Sequence, residues 1–508
     1  MFTEFFLILT SVFIALYFWQ KRLHSFWERN GVKSIKSEPI LGNFRTFLSG
    51  KVPLFEQLSL FYNTPGFENE PLIGVNLVKG PGVVIRDVEL VKTVMIKKFN
   101  FFTNRSMRTD PIHDALGANT LFFSRNSEWK NVRSKLTPIF TSGKIKQMYP
   151  LMLEVAKELE QTVEKVSSDS AVRIKDICAR FTIDNIATIA FGIKANALKD
   201  RNCEFYKFST DFFNFSLMRV IDSFIIFMLP ALASLARVKI FSKGTRDFFI
   251  RTITYAINER EKSGVHRNDL IDILVAMKQE EDAKSVKSKN WTPDLDHLVA
   301  HAAIFQLAGY ETSSSTMTLT LYELALNPDC QERVRAEIKD YFGDQDHISY
   351  ERLQEMPYLS QVLNETLRKY PVAGFVEREC AQPETGEKFT LKPYYDVEVP
   401  SGTPFYVPTL AIHRDEKYWP NPDKYDPERF APENRNNINM DAYMPFGIGP
   451  RNCLGMRLAL LQTKLGLAHF LRNHSVNKCD KTVDSFKFQI NSPVMSSAVD
   501  LLVQLQKD

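Results

Sequence analysis

The sequence predicts a mainly α fold with a minor β part, preceded by an N-terminal helix of membrane-anchor type. Three observations carry that prediction. Helical periodicity dominates from residue 128 onward, a single short hairpin pattern precedes it, and a stretch rich in proline, glycine and β-branched residues interrupts it at 372–408. At 508 residues the chain is long for one core, yet no composition break and no internal repeat divides it. The expected layout is an anchor at 1–20, a linker at 21–43 and one large body at 44–508.

In chain order, residues 5–19 are apolar except for Thr10 and Ser11, and with Phe2 and Thr3 the stretch is just long enough to cross a bilayer. Basic residues follow it at Lys21, Arg22, Arg29, Lys33 and Lys36, and none precedes it. The positive-inside rule therefore places the body on the cytoplasmic side, and the lack of a basic n-region favours a retained anchor over a cleaved leader. Apolar runs at 72–78 and 83–85 flank Lys79-Gly80-Pro81-Gly82 and read as a β-hairpin. Helices are expected at 128–136, 151–166, 177–189, 248–262, 269–278, 292–326, 359–370 and 456–470. The helix at 292–326 opens on Thr292 as N-cap with Pro293 at its first position, and stops before Asn327-Pro328. At 1.5 Å per residue it is about 50 Å long, enough to cross a domain. The segment 212–241 is strongly apolar but broken by Asp222 and Pro230, so it is too interrupted to span a membrane.

A net charge of +4, with no basic run interleaved with aromatics, gives no footing for nucleic acid. Thirty-nine phenylalanines fit a large apolar interior or cavity. Six scattered cysteines, with no C-x-x-C and no zinc-like spacing, read as five buried free thiols of a reducing compartment plus Cys453.

Cys453 stands apart because of its setting. It follows Gly447 and Gly449, precedes Gly455, and is presented at the start of the helix expected at 456–470. Glycines there permit close approach of a flat ligand, and backbone N–H groups with the helix dipole favour a thiolate. Such a thiolate can be a redox thiol, a nucleophile or a metal ligand. Elsewhere, Ala308-Gly309-Tyr310-Glu311-Thr312 lies in the middle of the long helix, where a threonine commonly bonds back to the carbonyl four residues earlier. Glu365 and Arg368 sit three apart on one helix face and can pair. Trp129 and Arg133 are four apart on another.

Phe446-x-x-Gly449-x-Arg451-x-Cys453-x-Gly455 resembles the haem-binding loop of the cytochrome P450 family at every fixed position. The other motifs occur in that family's order, with Pro427-Glu428-Arg429-Phe430 between the Glu365 helix and the loop. The resemblance covers about residues 35–505 and is closest to membrane-anchored microsomal P450s of the insect xenobiotic-metabolising branch. It implies a P450 fold and a haem-thiolate monooxygenase that inserts one oxygen atom of O2 into a lipophilic molecule such as a xenobiotic, steroid or fatty acid. Cys453 would be the axial ligand of haem b iron. Trp129, Arg133, Arg451 and Arg105 would hold the propionates, and Phe446 would shield the thiolate. Phe375 stands where relatives often carry a further propionate-binding arginine. Thr312 and Glu311 would handle the protons that O–O cleavage consumes, in a Gly-loosened turn of the long helix. Glu365, Arg368 and Arg429 would form a buried charge network under the loop. Candidate pocket segments are 107–123, 205–215, 301–305, 372–375 and 493–495. Electrons would come from NADPH through NADPH–cytochrome P450 reductase, with cytochrome b5 as a further donor, docking on a basic face made by Lys130, Lys135, Lys144 and Lys146. The compartment implied is the endoplasmic reticulum membrane, with the catalytic domain on its cytoplasmic face; for 212–241 core packing is the default reading, and the resemblance offers a frame for the substrate entrance at the bilayer as the other. A P450-fold enzyme that rearranges its substrate without O2, or a haem-thiolate sensor, would often lack the Glu311-Thr312 pair.

Overall fold

A computed structural model describes residues 2–166, 168, 170–214, 216–285, 295–383 and 385–508. The body is helical, with two small sheets. The first runs β1 (Leu72–Leu77), β2 (Gly80–Ile85), β5 (Pro404–Val407) and β4 (Val376–Glu379), with β2 and β5 parallel and the other pairs antiparallel. The second places β7 (Leu502–Lys507) between β3 (Ala171–Arg173) and β6 (His474–Asn477), all antiparallel.

The hairpin is tighter than its sequence pattern suggests. Leu77 pairs directly with Gly80, so Val78 and Lys79 alone make the turn, and Gly80 and Pro81 belong to β2. Pro81 is tolerated because it faces Asn76 at a position whose N–H would point away from β1. The neighbour β5 reaches only Val83 and Val84.

The long helix Asp296–Leu326 is the axis of the fold. It packs on the helices Ile174–Ile186, Met456–Leu471, Pro357–Lys369 and Lys243–Ser263. Its expected cap, Thr292-Pro293, lies outside the described residues, as does Phe215. Ser314, Thr318 and Thr320 are buried along it, and the hydroxyls of the two threonines donate back to the carbonyls of Ser314 (2.6 Å) and Thr316 (2.8 Å). These two buried hydroxyls are thus satisfied by the helix itself. Gly309 does not loosen a turn, since the helix is continuous through it. Its role is steric: a Cβ there would lie 2.8 Å from the Ile186 side chain, so glycine lets the two helices close.

Three helix starts depart from the periodicity, among them that expected at 248–262, which begins at Lys243. The helix expected at 151–166 runs over Ser142–Glu164 and carries Pro150 inside it, held by buried Ile145, Met148, Tyr149 and Met152 on its core face. The one expected at 177–189 begins at Ile174 and passes into a π turn, Ala187–Phe191.

The N-terminal stretch forms the helix Phe2–His24, on which Phe5, Phe6, Leu7, Ile14, Phe18 and Trp19 are exposed. Among the described residues no single helix is long and apolar enough to cross a membrane. One bent pair, Met218–Met228 and Pro230–Ala236, passes that test together. The expected linker is not a free tether: Trp27 is fully buried, donates its indole N–H to the Val75 carbonyl (3.0 Å), and occupies the space a Cβ on Gly74 would need.

Candidate haem site

Cys453 lies on the loop before the helix Met456–Leu471. The loop is closed by the Cys453 N–H donating to the Phe446 carbonyl (2.9 Å) and the Gly447 N–H to that of Met444 (2.9 Å). Gly449 is required: its φ is +77°, and a Cβ would lie 2.0 Å from the Met95 carbonyl oxygen. Phe446 is half-buried. The Cys453 side chain is reached by solvent from the cleft, although protein packs densely behind it. That packing works against the helix N-terminus. Burial pushes the thiol up, and the Gly455 N–H and the Arg133 guanidinium only partly offset it. All six cysteines are free, but only Cys178 and Cys380 are buried. Cys203, Cys330 and Cys479 are half-buried, fewer core thiols than expected.

Four arginines converge around this loop. Arg133 donates its two terminal nitrogens to the carbonyl and side-chain oxygens of Asn452, both at 2.8 Å, clamping the residue next to the cysteine. Arg451 donates to the carbonyls of Thr103 (2.5 Å), Phe122 (3.1 Å) and Ser124 (2.7 Å), and its guanidinium sits 5.0 Å from the Trp129 ring. Arg105 packs 4.1 Å over Phe122, with its Nε unpartnered. The fourth is Arg378 on β4, which the motif reading passed over. It is buried, donates to the Glu377 carbonyl (2.7 Å), and leaves its Nε unpartnered. Burial and the neighbouring guanidiniums hold Arg451 down to about 8 and Arg378 down to about 9. Glu377 is the buried acid among them, its Oε2 taken by the Ser106 N–H (2.8 Å) and its Oε1 unpartnered. Buried cations in excess, with donors unspent, fit a ligand that brings carboxylates. Arg378, not Phe375, supplies the further cation; the sequence signal was a charged Glu-Arg-Glu run in a buried strand.

The Glu365–Arg368 pair is fully buried and bidentate, at 2.7 and 2.8 Å. Arg429 stands 3.5 Å from the same carboxylate and donates to the Asn421 carbonyl. A relay not visible in the sequence joins this network to the cysteine loop. Arg368 donates to the His413 carbonyl (2.9 Å), and the Met444 N–H donates to His413 Nε2 (2.9 Å). That bond fixes the tautomer: Nδ1 carries the proton and faces the Arg368 carbonyl at 3.2 Å. Burial and Arg368 hold His413 down to about 3, so the ring is neutral.

Thr312 and Glu311 diverge. Thr312 is half-buried on the cleft side and donates to the Ala308 carbonyl (2.7 Å). Glu311 is buried against the helix Ile174–Ile186, where Lys175 Nζ binds its carboxylate (2.7 Å) and the hydroxyls of Ser314 and Ser315 (both 2.9 Å). Among the pocket segments, the Met495 N–H donates to the Val372 carbonyl (2.9 Å), bringing two of them together. Phe205 instead packs against Phe248 (5.1 Å), between helices.

The cytochrome P450 family model matches residues 36–498. The chain belongs to the cytochrome P450 family. Probable cytochrome P450 6w1 of Drosophila melanogaster is 57% identical over 501 residues, covering 99% of this chain and 97% of the relative. Probable cytochrome P450 6v1 of the same fly is 40% identical over 96% of this chain and 95% of the relative. Cytochrome P450 6j1 of Blattella germanica is 36% identical over 94% and 92%. This P450 is therefore of the insect type that its motifs resemble, and an oxidoreductase of the haem monooxygenase class.

Proposed function

We propose that this P450 oxidises lipophilic small molecules, xenobiotic, steroid-like or fatty-acid-like, with haem b held by Cys453 and electrons drawn from NADPH through NADPH–cytochrome P450 reductase or cytochrome b5. The observation that carries the reading is the ring of arginines around the Cys453 loop, two buried and two half-buried, whose spare Nε donors on Arg105 and Arg378 suit the carboxylates of iron protoporphyrin IX. Bound haem supplies the one-electron and O2 chemistry. The chain's own residues do the rest. Cys453 gives the thiolate, Arg105, Arg133, Arg378 and Arg451 with Trp129 orient the carboxylates, and Phe446 limits water behind the sulfur. Thr312 Oγ1 keeps a lone pair free for a proton in the cleft while its own hydrogen rests on Ala308. Glu311, paired with Lys175 at 2.7 Å, lies one residue away on the buried side of the helix.

The apolar helix Phe2–His24 serves as a single anchor in the endoplasmic reticulum membrane, with the body on the cytoplasmic face. The exposed Met218, Ile221, Leu232 and Leu235 make a second apolar contact beside the entrance. Lys130 is exposed for an acidic donor protein. Lys135, Lys144 and Lys146 share their amines with Glu280, Asn268 and Glu351. Reconstitution with the reductase, NADPH and labelled O2 over a panel of lipophilic compounds tests the reading. Label is expected in product; a thiolate-haem protein that oxidises NADPH with none of them would refute it.

A further inference from the structure

A cavity of about 500 Å³ lies apart from the haem site: none of its lining residues belongs to the cysteine loop or to the long helix. It sits between the first turn of the helix Glu204–Phe212, the middle of the helix Lys243–Ser263 and the loop at 193–195. Its size is that of a small-molecule site.

The walls are set by contacts within the protein. Phe205, which lies in a segment expected to line the substrate pocket, lines this cavity instead. Its ring is edge-on to Phe248 (5.1 Å), and Phe248 in turn stacks on Phe208 (4.9 Å). The loop wall is pinned from behind by buried Asp184, whose carboxylate accepts the N–H groups of Ala197 (2.7 Å) and Leu198 (2.8 Å). The cavity is therefore formed in advance, and a ligand would not have to order it. Phe248, Arg251, Thr252 and Tyr255 recur at helical spacing and share one face. Tyr255 keeps 64% of its surface in solvent, which places its ring at the rim.

Charge narrows the ligand. One Arg251 nitrogen spans both oxygens of Glu204 (2.7 and 2.9 Å), which engages the one carboxylate in the lining. The other two guanidinium nitrogens and the Lys194 amine have no partner among the described residues. Both members of the Glu204–Arg251 pair are about 60% exposed, so the pair contributes little to the fold. Its effect is to hold the guanidinium at the cavity, 6.0 Å from the Phe248 ring.

We infer that this cavity is a binding site, separate from the haem cleft, for a flat aromatic molecule that carries one carboxylate. The Tyr255 ring and the edge of Phe205 receive the aromatic part, and Arg251 and Lys194 receive the carboxylate. A cationic ligand would meet two like charges against one acid already engaged, and a neutral one would leave both cations unspent.

Calorimetric titration of 2-naphthoate into the full-length haem-loaded protein tests this. It is done at about 0.01 M ionic strength, where surface charges are little screened. The haem absorption band, recorded on the same samples, reports entry into the cleft. One molecule bound without a shift of that band is expected. Lys194→Glu should weaken binding about tenfold, and Thr252→Trp, which fills the cavity without changing its charge, should abolish it. Decanoate, with the same charge and no ring, should bind about fivefold more weakly. No binding to the wild type, or binding indifferent to both substitutions, overturns the site. A band shift that accompanies all of the binding places the molecule in the cleft and overturns it as well. Equal affinity for decanoate overturns the aromatic preference.

Discussion

Replacing His413 by leucine tests whether the buried ion pair supports the cysteine loop through that ring. The substitution removes the acceptor of the Met444 N–H and the donor to the Arg368 carbonyl. It also removes a ring stacked on Tyr443 at 5.6 Å and set edge-on to Trp419 at 6.3 Å. Leaving a buried N–H unpaired costs about 1–3 kcal/mol, and the aromatic contacts add about 0.5–1.5 kcal/mol, so the variant is expected to lose about 2–4 kcal/mol at pH 7. The pH dependence gives a second, independent readout. The folded ring titrates at about 3 and the unfolded one near 6.5, so between those values the unfolded state binds the extra proton. Stability from this group is full above 6.5 and is lost as the pH falls toward 3, by about 2 kcal/mol between pH 7 and 5. Leucine has no such loss, so the gap between wild type and His413→Leu should narrow by about 2 kcal/mol at pH 5. Urea unfolding followed by tryptophan fluorescence at both pH values measures it. An equal gap at the two pH values, or none at pH 7, refutes the relay.

Two further perturbations follow from the geometry. Gly449→Ala forces a side chain into a left-handed backbone and against the Met95 carbonyl; it should cost at least about 2 kcal/mol in unfolding and lower haem content, whereas Gly143→Ala, with nothing within 4 Å of the new Cβ, should be neutral. Lys175→Met strips the cation from a buried carboxylate and should cost about 2–4 kcal/mol; in a double-mutant cycle Glu311→Gln should recover more than half of it, and simple additivity would count against the pair.

What the sequence made legible was what lies close together along the chain. The cysteine loop, the long helix, the Glu365–Arg368 pair and the sheet-leaning stretch were readable because each is encoded within a few residues. The relay through His413, the Lys175 clamp on Glu311 and the arginine ring were not, because their partners lie 31 and 45 positions apart in the relay, 136 in the clamp and as many as 348 in the ring. Arg378 was overlooked because the motif reading searched at Phe375, three residues short. The family resemblance implied a loosened turn at Gly309; the reason glycine is there, the Ile186 side chain, belongs to another helix. Pro150 hid the first two turns of its helix for a similar reason, since packing on distant residues outweighs a local breaker.

The joint between the N-terminal helix and the body has a mechanical consequence. Gln20 exchanges two hydrogen bonds with the backbone of Ile40 (2.7 and 2.9 Å), His24 bonds the Leu77 carbonyl (3.0 Å), and Trp27 is wedged under β1. Helix and body thus form one lever, not a float on a string. A bilayer that grips the helix fixes the tilt of the whole molecule, and with it the height of the cleft mouth above the lipid. Under the proposed anchoring, a donor held at the same membrane would search for its dock only by rotation and drift in a plane, and a change in the length or slant of the helix would be felt at the mouth of the cleft.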